Sequence, residues 1–246
     1  MSLFGLLDRI RYSRSEARRI GWLAKVPYAH RGLHGTQNVE NSRAAVRAAV
    51  EAGYGVEVDA RLSLDGMAYV FHDSTLDRLT DRSGELRRMA GHDLSQTKLK
   101  GSDETIPRLS EILEIVAGRV PILIEIKAEG PVAQTCVAVR HALAGYRGNA
   151  AVMSFSGDVV HWFAEHGEHI TRGLVLSSKE KDQRRDGHFR TRAEFVAVDI
   201  RDLPSGFTRR LRSRRIPVLT WTVRDAAAQA IAKDAADQII FEAPGW

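Results

Sequence analysis

Short β-rich runs that alternate with helical patterns from residue 25 onward predict an α/β fold, because such alternation builds a parallel sheet with helices outside it. No glycine-rich phosphate loop follows the first run, which favours a closed (β/α)8 TIM barrel over a doubly wound sheet. The length of 246 residues fits one such barrel, and 43% hydrophobic residues supply one large core. The full expectation is a (β/α)8 TIM barrel with a small insertion after the third strand and an extra N-terminal helix.

Residues 1–24 read as an amphipathic helical extension ahead of a barrel domain over 25–246. Leu3, Leu6, Leu7 and Ile10 recur at helical spacing, and Arg9, Arg11, Arg14, Arg18 and Arg19 follow. A secretory signal places its positive charge first, so this order is wrong for one. No run approaches the roughly 20 apolar residues of a membrane span. A cytoplasmic location is therefore expected. The extension is expected to pack on the main domain or on a sister subunit of a homo-oligomer; membrane-surface docking through the arginines is the second reading. The net charge of +5 attracts anions, but basic and acidic residues are interleaved, so no nucleic-acid partner is expected. The single cysteine, Cys136, excludes an intramolecular disulfide and a cysteine metal cage, and its helical context makes it a packed apolar residue.

Strands are predicted at 26–30, 55–60, 68–72, 121–126, 149–154, 171–176, 195–199, 216–221 and 238–241. Helices are predicted at 41–52, 108–117, 131–144, 157–166, 204–214 and 224–234. Nine strands exceed the eight of a barrel, so one is surplus or belongs to a flap. Two places break the alternation. "RLSLDGMA" (61–68) is too short for a crossover helix; its "LDG" suggests an antiparallel hairpin, whereas a third barrel strand requires an extended, helix-less return. Residues 73–107 form a long insertion with turn signals, expected to form a cap beside the C-terminal mouth of the barrel.

The strand ends carry unusual residues. "VPYAHRG" delivers His30 and Arg31, "GVEVDA" carries Glu57 and Asp59, "YVFHDS" ends in His72 and Asp73, and "ILIEIK" carries Glu125 and Lys127. Residues i and i+2 of a strand share a face, so Glu57 points with Asp59, and Glu125 with Lys127. Three carboxylates on inward faces cannot all stay ionised in a dry interior, and a divalent cation resolves the conflict. Oxygen-only ligation favours Mg²⁺, Ca²⁺ or Mn²⁺. With Arg31 and Lys127 to neutralise an anion and two imidazoles to move protons, a phosphate diester fits the set.

At this point the chain resembles the glycerophosphodiester phosphodiesterases, in particular the bacterial, single-domain members. The matching segments are "AHRG" (29–32), "ENS" (40–42), "VEVDARLSLDGMAYVFHD" (56–73), "IPRLSEIL" (106–113), "ILIEIK" (122–127), "SF" (154–155) and "LTWTV" (219–223). The resemblance implies a metal-dependent barrel enzyme that hydrolyses small glycerophosphodiesters to glycerol 3-phosphate and an alcohol. It implies Glu57, Asp59 and Glu125 as ligands of one divalent cation, His30 and His72 as the catalytic pair, and Arg31 and Lys127 on the phosphate. Glu40 and Asn41 stand in a supporting motif that has Ser42 where the family has Thr; Asn41 and Ser42 also suit a helix N-cap. Trp221 stands at the barrel mouth, either against the glycerol or in the core. The chain departs from the family at "QIIFEAP", where Gln238 replaces Gly and Glu242 replaces Asp.

The expected chemistry has one histidine deprotonate the glycerol 2-hydroxyl, which attacks phosphorus, while the other protonates the departing alcohol. Water then opens the cyclic phosphate. Direct attack by water and the identity of the base stay open at this level. Two alternatives accompany this reading: a related phosphodiesterase acting on intact phospholipid, and a catalytically silent barrel that binds glycerophosphodiesters.

Overall fold

The computed structural model describes residues 19–178 and 191–242. Its elements follow the alternation: β1 (Tyr28–Ala29), α1 (Arg43–Glu51), β2 (Gly55–Leu62), β3 (Ala68–Val70), α2 (Gly91–Gln96), α3 (Leu109–Val116), β4 (Ile122–Ile126) and α4 (Val132–Ala142). Then come β5 (Ala150–Ser154), α5 (Gly157–His166), β6 (Thr171–Leu176), β7 (Phe195–Asp199), α6 (Gly206–Ser213), β8 (Val218–Val223), α7 (Ala226–Ala235) and β9 (Gln238–Phe241). The first 18 residues, and with them most of the expected amphipathic helix, lie outside the described residues, as do 179–190 and 243–246.

Eight strands close a parallel ring in the order β1-β9-β8-β7-β6-β5-β4-β2, with β1 pairing β2 to complete it. The ninth, β3, pairs antiparallel with β2 outside that ring. Of the two readings of "RLSLDGMA", the hairpin prevails. The reason is length: β2 runs on past the rim to Leu62, and a turn over Ser63–Met67 sends the chain straight back along it. The third strand of the ring is therefore β4, reached through the insertion and α3.

Strand parity sorts the side chains. Val56, Val58 and Ala60 of β2 and Ile122, Ile124 and Ile126 of β4 belong to the apolar layer shared with the helices. Each such valine or isoleucine side chain contributes about 1.5–3 kcal/mol on full burial. The opposite faces fill the barrel with Tyr28, Leu123, Met153, Val175, Phe195, Leu219 and Ile240. Gly173 makes room there: a Cβ on it would stand 2.3 Å from the Phe195 ring. Ile20, Trp22 and Leu23, just ahead of β1, join this interior cluster and plug the end of the barrel opposite the strand C-termini. Cys136 is buried on α4, and burial pushes its thiol up to about 12.

Residues 73–107 have a core of their own. Leu76, Leu86, Leu94, Leu99 and Ile106 pack with Tyr69 and Phe71 of the hairpin. The insertion is thus anchored on β3, beside the C-terminal mouth. Among the described residues, no helix is long and apolar enough to cross a membrane.

Candidate active site

β2 and β4 pair in parallel with Asp59 opposite Glu125, and parity turns Glu57 and Asp59 inward together. Glu57, Asp59 and Glu125 each bring a carboxylate oxygen within 4.8 Å of the others, all buried. β1 ends one residue before His30, whose amide still donates to Phe241 O of β9 (2.8 Å). The chain then turns through Arg31 (φ 56°) and Gly32 (φ 76°). A Cβ on Gly32 would lie 2.7 Å from the Ala45 carbonyl carbon, so only glycine lets the turn press against α1. The left-handed Arg31 costs roughly 1–2 kcal/mol, and its amide uses that conformation to donate to Glu57 Oε2 (3.0 Å). Strand β3 brings the second histidine in: the Phe71 amide donates to Asp59 O (3.0 Å), which sets His72 beside Asp59.

Two cations sit against the acidic cluster. Lys127 Nζ lies 2.8 Å from Asp59 Oδ1 and 2.5 Å from Glu125 Oε1, and Arg31 Nε lies 3.4 Å from Asp59 Oδ2. Asn41 (φ 60°) adds a double tie, donating to Asp59 Oδ2 (2.8 Å) and accepting from the Asp59 amide (3.2 Å). Its neighbour Ser42 caps α1 by accepting from the Ala45 amide (3.1 Å), a contact worth about 1 kcal/mol. Burial alone would raise Asp59, but Lys127 and Arg31 reverse that and hold its carboxyl below the usual range. At Glu57 the Arg31 amide and the charge of Lys127 pull the same way but are outweighed. Burial, then the charges of Asp59 and Glu125, push Glu57 well above the ordinary carboxyl value, and Glu125 rises too, mainly through burial.

Each histidine has a carboxylate on Nδ1 and an arginine behind that carboxylate. His30 Nδ1 lies 2.6 Å from Glu242 Oε1, and Arg224 donates to both Glu242 oxygens (2.6 and 3.0 Å). His72 Nδ1 lies 2.7 Å from Asp73 Oδ1, and Arg78 donates to both Asp73 oxygens (2.5 and 3.1 Å). An ionised carboxylate only accepts, so Nδ1 carries the proton in each neutral ring and Nε2 is left as the acceptor. Burial lowers the pKa of both imidazoles, opposed by Glu242 at His30 and by Asp59 at His72. Arg61 fixes the main chain of His72, donating twice to its carbonyl (2.8 and 2.6 Å). Glu40 accepts from Arg31 (2.8 Å).

These groups line a cleft of ≈ 710 Å³ at the barrel mouth, with His30, Arg31, Glu57, His72, Glu125 and Lys127 on its wall. Trp221 lines the cleft as well, edge-on to Phe155 (centroids 5.5 Å apart), and donates to Ala197 O (3.2 Å). All of the sequence-predicted residues gather at this mouth. The sequence reading missed Arg78 and Arg224 as supports, and it saw Glu242 only as a departure at the rim. Arg78 had a local signal, five residues after Asp73 in "HDSTLDR". Arg224 had none.

The carboxylate set suits a hard divalent cation. Glu57 Oε1 is buried without a hydrogen-bond partner, and the donors are all oxygen. A second group, His30, His34 and Glu242, also gathers within 4.8 Å, but Glu242 is already engaged by His30 and Arg224.

A closed (β/α)8 barrel that sets imidazoles, fixed cations and an acidic cluster at the C-terminal ends of its strands is a barrel built to handle an anion. The sequence model of the Glycerophosphoryl diester phosphodiesterase family matches residues 30–244, and the chain belongs to that family. Glycerophosphodiester phosphodiesterase 1 of Rattus norvegicus is 28% identical over 189 residues, covering 70% of this chain and 56% of the relative. The chain thus spans little more than half the length of this mammalian relative. The glycerophosphodiester phosphodiesterase of Caldanaerobacter subterraneus is 35% identical over 109 residues, 41% of this chain and 44% of that one. Among solved structures, a glycerophosphodiester phosphodiesterase from Thermotoga maritima superposes with TM-score 0.74 at 26% identity, covering 88% of this chain and 94% of that one. A phosphodiesterase from Oleispira antarctica, in complex with the product sn-glycerol-3-phosphate, gives TM-score 0.81 at 23% identity, over 89% and 94% of the two chains.

Proposed function

We propose that this protein hydrolyses glycerophosphodiesters to glycerol 3-phosphate and an alcohol, by acid–base catalysis between His30 and His72. The observation that carries the reading is the pairing of two carboxylate-bound imidazoles across one cleft that also holds Arg31, Lys127 and the acidic cluster. Family membership and the product named for the Oleispira antarctica phosphodiesterase support the substrate class.

Arg31 and Lys127 bind the phosphoryl oxygens and hold the diester against the mouth. One imidazole accepts, at Nε2, the proton of the attacking hydroxyl, and the other, in its protonated form, returns a proton to the departing alcohol oxygen. Where the glycerol 2-hydroxyl attacks, water then opens the cyclic phosphate to glycerol 3-phosphate. Glu242 and Asp73 keep each Nδ1 protonated and stabilise the imidazolium that forms. Glu57, Asp59 and Glu125 would hold a divalent cation, Mg²⁺, Ca²⁺ or Mn²⁺, which when bound supplies positive charge to the phosphate and lowers the pKa of a hydroxyl. Phe155 and Trp221 offer an aromatic wall to the carbon skeleton.

A panel of glycerophosphodiesters assayed with metal titration tests the reading. Release of glycerol 3-phosphate that follows the cation supports it. Binding without turnover at any metal concentration refutes hydrolysis.

A further inference from the structure

Arg78 reaches the mouth from the insertion and bonds to Asp73 and Glu40. Leu76 is buried in the insertion's own apolar cluster and Leu79 packs against it, so the backbone around Arg78 is anchored from both sides. Its guanidinium engages two carboxylates with every nitrogen. Nε and Nη2 donate to Asp73 (2.5 and 3.1 Å), while Nη2 and Nη1 donate to Glu40 (2.7 and 3.0 Å). Asp73 is bound to His72 Nδ1 (2.7 Å), and Glu40 accepts from Arg31 (2.8 Å). An unbroken line of charge-assisted bonds therefore runs His72–Asp73–Arg78–Glu40–Arg31.

Removing Arg78 would leave two neighbouring carboxylates without the fork that joins them. Arg61 secures only the main chain of His72, through its carbonyl. The orientation of the ring depends on Asp73, and the orientation of Asp73 depends on Arg78. We propose that Arg78 is a positioning residue that sets the His72 imidazole and the Arg31 guanidinium in one common geometry, so that the insertion tunes proton transfer and phosphate binding together. The proposal rests on the reading of His72 and Arg31 as groups that act on a glycerophosphodiester.

The test compares wild type, Arg78→Ala and Arg78→Lys by ¹⁵N spectra of the histidine rings and by kinetics on glycerophosphocholine with saturating divalent cation. For Arg78→Ala the expected result is a fall in kcat of about tenfold or more, the range seen when a group orienting a reactive residue is lost. The His72 ring should leave its single Nδ1–H tautomer. Tm should move by no more than about 4 °C, since the contact is half exposed and near the surface. Arg78→Lys should recover part of the rate, because an ammonium keeps the charge but does not fork across two carboxylates. On a His72→Ala background, Arg78→Ala should lower kcat far less than on wild type, while the loss through Glu40 and Arg31 remains in KM. Lys98→Ala, which breaks an exposed ion pair with Asp103 elsewhere in the insertion, should leave the kinetics unchanged.

An unaltered kcat and ring spectrum in Arg78→Ala overturns the proposal. So does a collapsed Tm with a normal rate per folded molecule, which would make Arg78 a structural residue of the insertion. If wild type turns over no glycerophosphodiester, the functional reading fails, and the tautomer of His72 still decides the role of Arg78: an unmoved signal in Arg78→Ala rejects it.

Discussion

On the His72 side of the cleft, the imidazole, its carboxylate Asp73 and the arginine Arg78 lie within seven residues of chain, on a hairpin and insertion outside the barrel ring. On the His30 side, the carboxylate Glu242 is 212 residues from the imidazole, and the two meet only because β1 pairs with β9. Both sides end in the same His–carboxylate–Arg arrangement. They differ in exposure: the side chain of His30 is 11% exposed and that of His72 33%. The His30 half is thus a product of ring closure and holds the more buried imidazole, whereas the His72 half is assembled locally; the two carboxylates, Glu242 and Asp73, are equally exposed (21% and 22%). Water reaches the His72 ring more readily than the His30 ring.

Chelation is expected to have the largest effect, because it acts on both halves at once. Activity should vanish with EDTA and return with Mg²⁺, Ca²⁺ or Mn²⁺, since three buried carboxylates need a cation to stay ionised together. A full rate in metal-stripped protein would remove the cation from the reading. Next, His30→Ala and His72→Ala should each lower kcat by about a hundredfold or more. The double variant should be much less than multiplicatively worse, as the two imidazoles work as a unit. Near-normal kcat in either single variant would reduce that half to a structural one.

The carboxylates sharpen the contrast itself. Glu242→Ala should lower kcat by roughly a hundredfold and Asp73→Ala by roughly tenfold, because the more buried His30 Nδ1–H finds less water in place of its acceptor. Equal losses would show that exposure does not distinguish the halves. Arg31→Lys should lower kcat/KM by roughly tenfold at little cost in Tm, because the guanidinium fork is lost while the charge stays. A normal rate with a collapsed Tm would reassign Arg31 to holding the barrel together.

The smallest effect is one of pH. Burial and the charges of Asp59 and Glu125 raise the Glu57 carboxyl well above its ordinary 4.5. In cation-free protein its contribution to stability is complete below that ordinary value and is lost as pH rises through the raised folded one. A cation displaces the same proton, so the rise in Tm on adding Mg²⁺, Ca²⁺ or Mn²⁺ should grow from pH 5 to pH 8. Thermal melts with and without cation measure it, and a flat or falling increment would place the proton elsewhere.

Much of the frame was legible in the residues. The predicted run 171–176 is β6 and 195–199 is β7, because short apolar runs bounded by turns carry a local signal. Parity alone put Glu57, Asp59 and Glu125 on inward faces, since alternation along a strand is a property of the backbone. The place of β3 was harder: "LDG" favours a hairpin, the barrel count favoured a ring strand, and only the pairing with β2 resolved the two.

The sequence by itself determined where the strands lie to within a few residues, which side chains share a face, and which charged types stand at the strand ends, because these follow from interactions between near neighbours. The tertiary structure decided which ends meet. Glu242 against His30, Glu40 against Arg78, and Ile20, Trp22 and Leu23 in the base of the barrel all depend on the closure and packing of distant segments. No local pattern encodes such contacts, since their energy comes from burial and hydrogen bonding that exist only once the ring is closed.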